Sequence, residues 1–135
     1  MQILLTWIWH WLPPLMWMAV IFYLSSLPTL PSAPGPWLDA FLKKLTHAAE
    51  YALLFVLLLR AWRHHLSADQ ALRAALVTTA LYAVSDEWHQ AFVPGRKANG
   101  YDVLIDVSVP LLLWWLWRGR LRKGLLKRGD EYLAE

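Results

Sequence analysis

The segment Ile3–Leu27 contains no Asp, Glu, Lys or Arg, so it is long and apolar enough to cross a lipid bilayer as a helix. Three further apolar segments follow, at about residues 47–62, 72–92 and 101–117. Hydrophobic residues make up 58% of the chain, which is more than soluble domains usually carry. Inside a bilayer, a backbone must satisfy its own hydrogen bonds. We therefore predict an all-α membrane protein with four transmembrane helices and the lipid bilayer as its first partner.

Two features of the first half of the chain bear on the form of the first span and of the segment that follows it. Pro13-Pro14 interrupts the first segment, which we expect to be one kinked helix or an interfacial Trp-rich segment followed by a shorter span from Leu15. A cleaved signal peptide is the competing interpretation, but the basic residues that usually precede its apolar part are missing. Between the first and second spans, residues 37–45 carry apolar side chains at helical spacing and predict a short interfacial helix.

The basic residues are unequally divided between the two sides of the predicted bundle. With four spans, both termini and the loop around residues 60–73 share one side, which holds nine of the 13 Lys and Arg residues. The positive-inside rule places that side in the cytoplasm, so residues 1–117 form the membrane domain and 118–135 a basic cytoplasmic tail. The basic residues flank spans and form no separate basic domain, so nucleic acid is not an expected partner. The chain has no Cys, which excludes disulfides and thiolate metal sites.

Five carboxylates lie within or at the edge of the last three spans, where a charge is costly and usually functional. They are Glu50, Asp86, Glu87, Asp102 and Asp106. At about 1.5 Å per residue, Glu50, Asp86 and Asp106 lie roughly 15, 20 and 18 Å from the basic residue at the inner boundary of their span. In a hydrocarbon core about 30 Å thick, all three fall in the outer half. We expect them to converge in a pocket that opens outward.

Clustered carboxylates can serve general acid–base catalysis, because neighbouring acids differ in how readily they release a proton. The candidate catalytic residues are Glu50, Asp86, Glu87 and Asp106. Polar neighbours on the same helix faces, or just beyond the third span, could bind a substrate, and a cation such as Arg96 with Lys97 could hold a phosphate or carboxylate. The candidate binding residues are His47, His89, Gln90, Arg96 and Asp102. A divalent cation held by carboxylate and imidazole groups is another use of such a set.

Structural roles compete with these functional ones. Asp102 could be an N-terminal helix cap, and Glu50 with His47 could be a charge pair at a helix start. Asp106 lies one turn deeper than capping explains. Asp86-Glu87 ends a span, where the helix dipole opposes acids, so a partner must compensate these charges.

Two further polar pairs have simple structural interpretations. Ser25-Ser26 ends the first span, and we expect the hydroxyls to bond back to helix carbonyls. His64-His65 lies in the inner loop, and we expect both rings to be solvated.

Four sequence blocks carry a family resemblance. They are Ser25-Ser26-Leu27-Pro28, Lys44-x-x-His47-x-x-Glu50-Tyr51, the run SDEWHQAFVPGR from Ser85 to Arg96, and the pair Asp102 and Asp106. Over about residues 15–117 the chain resembles the VanZ-like family of small bacterial membrane proteins. It departs from the common family pattern at Asp106 and at Val109-Pro110, where family members commonly have Asn and a following Gly.

The resemblance implies a place in the bacterial inner membrane and a role at the cell envelope. The namesake of the family is associated with low-level resistance to the glycopeptide teicoplanin, and no settled activity comes with the family name. Three functions stay open: a protein that handles an amphiphilic or lipid-linked molecule, a hydrolase or transferase acting on a lipid phosphate, and a proton or cation pathway. The apolar inner halves of the spans disfavour the pathway.

Overall fold

The computed structural model describes residues 2–28, 33–96 and 100–133, and these residues form four helices and no strand. In chain order the helices are α1 (Gln2–Ser25), α2 (Pro36–Trp62), α3 (Ala68–Gln90) and α4 (Gly100–Leu133). The prediction of an all-α fold is confirmed.

Three of the helices are long and apolar enough to cross a membrane. These are α1 over Trp7–Ser25, the whole of α2, and α4 over Gly100–Leu121. The chain is therefore a multi-pass membrane protein. Helix α3 carries more polar side chains and does not reach the same hydropathy, so its crossing stays a prediction.

Helix α2 differs from the expected arrangement. Residues 37–45 do not form a separate interfacial helix, because one continuous helix runs from Pro36 to Trp62. Pro36 suits the first turn of a helix, since the N–H group that proline lacks has no partner there anyway. Gly35, at φ 87°, supplies the left-handed backbone that turns the chain into α2.

Helix α1 is a single helix, the first of the two forms expected for it. Pro13 and Pro14 both lie inside it. At the other end of the chain, α4 continues past residue 117 to Leu133, so the basic segment begins as an extension of the fourth helix.

Helices α2, α3 and α4 pack against one another, and α1 lies against α2 with a smaller contact to α3. The core places large side chains of α2 against small residues of α3, and small residues allow two helices to approach closely. The buried core cluster includes Leu54, Phe55, Leu58, Ala71, Ala75 and Ala83.

Two hydrogen bonds from side chains to backbone carbonyls attach α1 to α3 and α2. Tyr82 OH on α3 donates to the carbonyl of Met18 at 2.6 Å. Trp17 Nε1 on α1 donates to the carbonyl of Glu50 on α2 at 2.9 Å. These bonds hold α1 in register with the end of the bundle where α1 and α3 finish and α2 and α4 begin, which we call the site end.

Candidate functional site

Asp86 is the centre of a buried hydrogen-bond network at the site end. Its side chain on α3 is almost fully buried, at 3% exposed. One carboxylate oxygen accepts from Ser25 Oγ at 2.5 Å, and the other accepts from Tyr51 OH at 3.0 Å and Gln90 Nε2 at 3.1 Å. The donors come from α1, α2 and α3, so one carboxylate joins three helices. These three donors stabilise the negative charge of Asp86, which the helix dipole opposes near the C-terminal end of α3.

Asp106 makes a second connection between helices. Its side chain on α4 is 2% exposed, and its Oδ1 lies 3.3 Å from Nδ1 of His47 on α2. Because Nδ1 faces Asp106, the opposite edge of the ring carries the other nitrogen, Nε2. Oδ1 has no hydrogen-bond partner with good geometry among the described residues, so the pair is a close electrostatic contact rather than a formed hydrogen bond.

A cavity of about 240 Å³ lies beside these two connections. It is formed by the last turns of α1, the first half of α2 and the loop after α3, and its wall contains charges of both signs. The lining residues are Leu24, Ser25, Ala33, Asp39, Leu42, Lys43, Thr46, His47, Glu50 and Arg96.

Two of the expected acids lie behind the cavity wall. Asp86 reaches it through Ser25, and Asp106 reaches it through His47, since Ser25 and His47 are both lining residues. Glu50 lines the cavity directly, and its charge interacts with those of Asp106 and Asp86. The carboxylates of three helices therefore lie at one cavity, with Glu50 in its wall and Asp86 and Asp106 behind the wall.

Arg96 also stabilises the end of α1, a role that its position in the sequence did not indicate. Its Nε donates to the carbonyl of Leu27 at 3.0 Å, and its Nη2 donates to the carbonyl of Leu24 at 2.9 Å. The guanidinium therefore satisfies carbonyls at the C-terminal end of α1, where a positive charge also suits the helix dipole. It lines the cavity at the same time.

Gly95 brings Arg96 close to the chain that leaves α1. Its φ is 87°, and a Cβ there would meet the backbone oxygen of Pro28 at 3.4 Å. The Pro94-Gly95-Arg96 and Leu27-Pro28 segments, distant in sequence, therefore pack together.

The remaining candidates lie outside the cavity lining. His89 packs its ring against Phe22, with 4.2 Å between the ring centroids, and its buried Nδ1 has no hydrogen-bond partner among the described residues. Glu87 is 7% exposed and Asp102 lies in the first turn of α4. Lys97 lies outside the described residues.

Several residues of the site were not predicted. Tyr51 and Ser25 stood in the quoted blocks, but nothing in their spacing indicated that both would donate to Asp86. Ser25 Oγ also bonds to the carbonyl of Ile21 at 2.9 Å, as expected. Asp39 and Lys43 form an ion pair of 2.7 Å in the cavity wall. Their spacing of four residues on one helix face was the available signal.

The two histidines of the α2–α3 loop are exposed but not simply solvated. The His65 ring stacks on Trp7 at 4.0 Å between centroids, and the His64 ring lies 3.3 Å from that of His10. Both contacts lie at the opposite end from the cavity.

A metal site receives no geometric support within the described part of the chain. No group of three or more His, Asp or Glu side chains there is arranged to hold a metal ion. Such a site would need ligands converging within about 2–2.6 Å of one point.

The chain was compared with known proteins. No curated protein and no solved structure matches it significantly. The profile of the family described as VanZ/LLP1 matches residues 3–123, which include α2, α3, most of α1 and α4, and every residue of the cavity. The chain therefore belongs to the VanZ/LLP1 family, as its sequence blocks indicated.

Proposed function

We propose that this protein acts at the bacterial cell envelope and that its cavity holds the polar head of an amphiphilic or lipid-linked molecule. One observation carries the proposal, namely the two contrasting faces of the first turns of α2. One face places Asp39 and Lys43 in the cavity wall, whereas the other exposes the large apolar side chains Trp37 and Phe41, at 77% and 52%. A molecule with a charged head and an apolar tail matches both.

We place the protein in the inner membrane, with both termini in the cytoplasm and the site end facing outward. The excess of basic residues around the α2–α3 loop and in the second half of α4 supports this orientation. The exposed aromatic residues Trp37, Trp88 and Tyr101 all lie at the site end, as expected of a belt at the membrane interface. We extend the proposal to teicoplanin susceptibility, because the family resemblance points to it.

A cavity-filling substitution tests the proposal. Thr46→Trp puts a large ring into the cavity, and Val77→Trp on the exposed surface of α3 is the matched control. Both variants and the parent protein are transferred from total bacterial lipid into nanodiscs and examined by native mass spectrometry. We expect the parent and Val77→Trp to retain a lipid or amphiphile that Thr46→Trp loses. Equal retention by all three would remove the proposal.

The pair of His47 and Asp106 favours a second candidate, a hydrolase or transferase acting on a lipid phosphate. A buried carboxylate close to an imidazole at a cavity wall is an arrangement suited to a general base. His47→Gln should then abolish turnover of a fluorescent lipid phosphate and leave its binding intact. A proton or cation pathway has less support, because the α2 side chains below the site are Leu54, Phe55 and Leu58.

A further inference from the structure

We propose that the cavity recognises a head group in which a primary ammonium is joined by a short linker to a phosphate, as in a phosphoethanolamine. This inference rests on the proposed function and names its ligand class. Among the lining carboxylates, Glu50 is the one whose side chain forms no hydrogen bond or ion pair with another side chain in the described part of the chain.

The other charged lining residues have partners. Asp39 pairs with Lys43 at 2.7 Å, His47 lies 3.3 Å from Asp106, and Arg96 donates to the end of α1. Within residues 2–28, 33–96 and 100–121, by contrast, no hydrogen bond or ion pair joins the Glu50 carboxylate to another side chain. Its backbone carbonyl is occupied by Trp17.

A half-buried carboxylate in a membrane protein is best stabilised by a hydrogen-bond donor as well as by nearby positive charge, which His47 and Arg96 supply to Glu50. His47 is one turn away, but its Nδ1 is directed to Asp106. Arg96 interacts with Glu50 through its charge, while its Nε and Nη2 are directed to carbonyls of α1. The donor for Glu50 is therefore best supplied by the ligand, and an ammonium group gives the strongest hydrogen bond of this kind.

The same cavity offers cations for a phosphate. The bonds of Arg96 to Leu24 and Leu27 do not involve Nη1, which carries two further N–H groups. Lys43 uses one contact for Asp39, and an ammonium has three donors. At about 240 Å³, the cavity holds several times the roughly 30 Å³ that one water occupies, so it can accept a small head group.

This arrangement ranks lipid head groups by chemistry. A phosphoethanolamine satisfies Glu50 through N–H donors and the cations through its phosphate. A phosphocholine keeps both charges, but its quaternary nitrogen has no N–H donor. A phosphoglycerol has no cation and leaves Glu50 beside a further negative charge. The expected order of affinity is ethanolamine, then choline, then glycerol.

The test measures binding of three lipids to the full-length protein in detergent by native mass spectrometry. Phosphatidylethanolamine, phosphatidylcholine and phosphatidylglycerol of identical acyl chains are titrated in parallel. We expect phosphatidylethanolamine to bind about tenfold more tightly than phosphatidylglycerol, since a charge-assisted hydrogen bond contributes about that factor or more. Glu50→Gln should reduce the ratio to about twofold, whereas Asp69→Asn, at the opposite end of α3, should leave it unchanged.

The outcomes separate the two proposals. Binding of phosphatidylglycerol as tight as that of phosphatidylethanolamine, lost in Thr46→Trp, would keep an amphiphile site and overturn the amine inference. Failure of all three lipids to bind, while Thr46→Trp still loses a lipid or amphiphile that the parent protein retains, would overturn the head-group inference and keep the proposed function. Competition by soluble glycerophosphoethanolamine at equal concentration supports recognition of the head group and assigns the cavity to a free solute. Competition only by the lipid supports a membrane ligand.

Discussion

The guanidinium of Arg96 and the carbonyl of Leu24 are joined by a hydrogen bond of 2.9 Å, which ties the loop after α3 to the end of α1. A second bond, to Leu27, lies 3.0 Å away on the same side chain. Two sequence blocks separated by about 70 residues thus form one structural unit, and the cavity wall includes residues from both.

Replacement of Arg96 by Lys tests this unit. One ammonium cannot reproduce the planar pair of donors, so we expect Arg96→Lys to destabilise the protein by about 1–3 kcal/mol. Thermal denaturation in detergent measures the change. Arg73→Lys is the control, because Arg73 pairs with Asp69 on the exposed surface and such pairs contribute about 0–1 kcal/mol. Equal effects would show that the contacts of Arg96 contribute little to stability.

Asp86→Asn should also destabilise the fold. The helix dipole alone suggests that removing this charge is favourable, but three donors from three helices reverse that expectation. An Asn presents its NH₂ group to at least one of those donors, and we expect a loss of about 1–3 kcal/mol and lower accumulation in membranes. The neighbouring Ser85→Ala, at an exposed position, is the control. An Asp86→Asn protein of unchanged or higher stability would mean that the network is not structural.

The contact between His47 and Asp106 predicts non-additive effects. Under the proposed effect on teicoplanin susceptibility, we expect His47→Gln and Asp106→Asn each to change it to the same extent as the double variant, because the first change removes the imidazole and the second removes the charge that faces it. Minimum inhibitory concentrations, with protein amounts measured by immunoblot, provide the comparison. Effects that add independently would show that the two residues do not act as a unit.

The ends of α3 provide a test of topology. If α3 crosses the membrane, cysteines introduced at Ser67 and Phe92 lie on opposite sides, and both positions are exposed. An impermeant maleimide added to intact spheroplasts should label Phe92→Cys and spare Ser67→Cys until the membrane is opened. Labelling of both would show that α3 does not cross, and labelling of Ser67→Cys alone would reverse the orientation.

The sequence allowed the helices and part of the site to be predicted. Depth along each span was enough to bring Glu50, Asp86 and Asp106 to one end of the bundle, because rise per residue is nearly constant. Depth does not determine rotation about the helix axis. That is why Asp86 and Asp106 were expected in the cavity wall but lie behind Ser25 and His47.

Two further differences between the sequence-based predictions and the structure depend on how neighbouring helices pack. Residues 37–45 were interpreted as a short interfacial helix that leads into the second span, yet His47 and Glu50 continue the same helix. Alternation of charged and apolar side chains is compatible with both arrangements, and packing decides between them. Tyr51 was quoted as part of a block, but its bond to Asp86 depends on how α2 and α3 approach each other.

The attachments of α1 have a consequence for how such chains diverge. At three of these attachments Tyr82 and Arg96 supply the donors, and the acceptors are the backbone carbonyls of Met18, Leu24 and Leu27 in or just after α1. A carbonyl is present whatever side chain its residue carries. Substitution at those three positions therefore leaves these hydrogen bonds possible, whereas the bonds given by the side chains of Tyr82 and Arg96, and by Trp17 and Ser25 of α1, depend on residue identity. These attachments should accordingly constrain side-chain identity at the donors and leave it open at the three carbonyl acceptors.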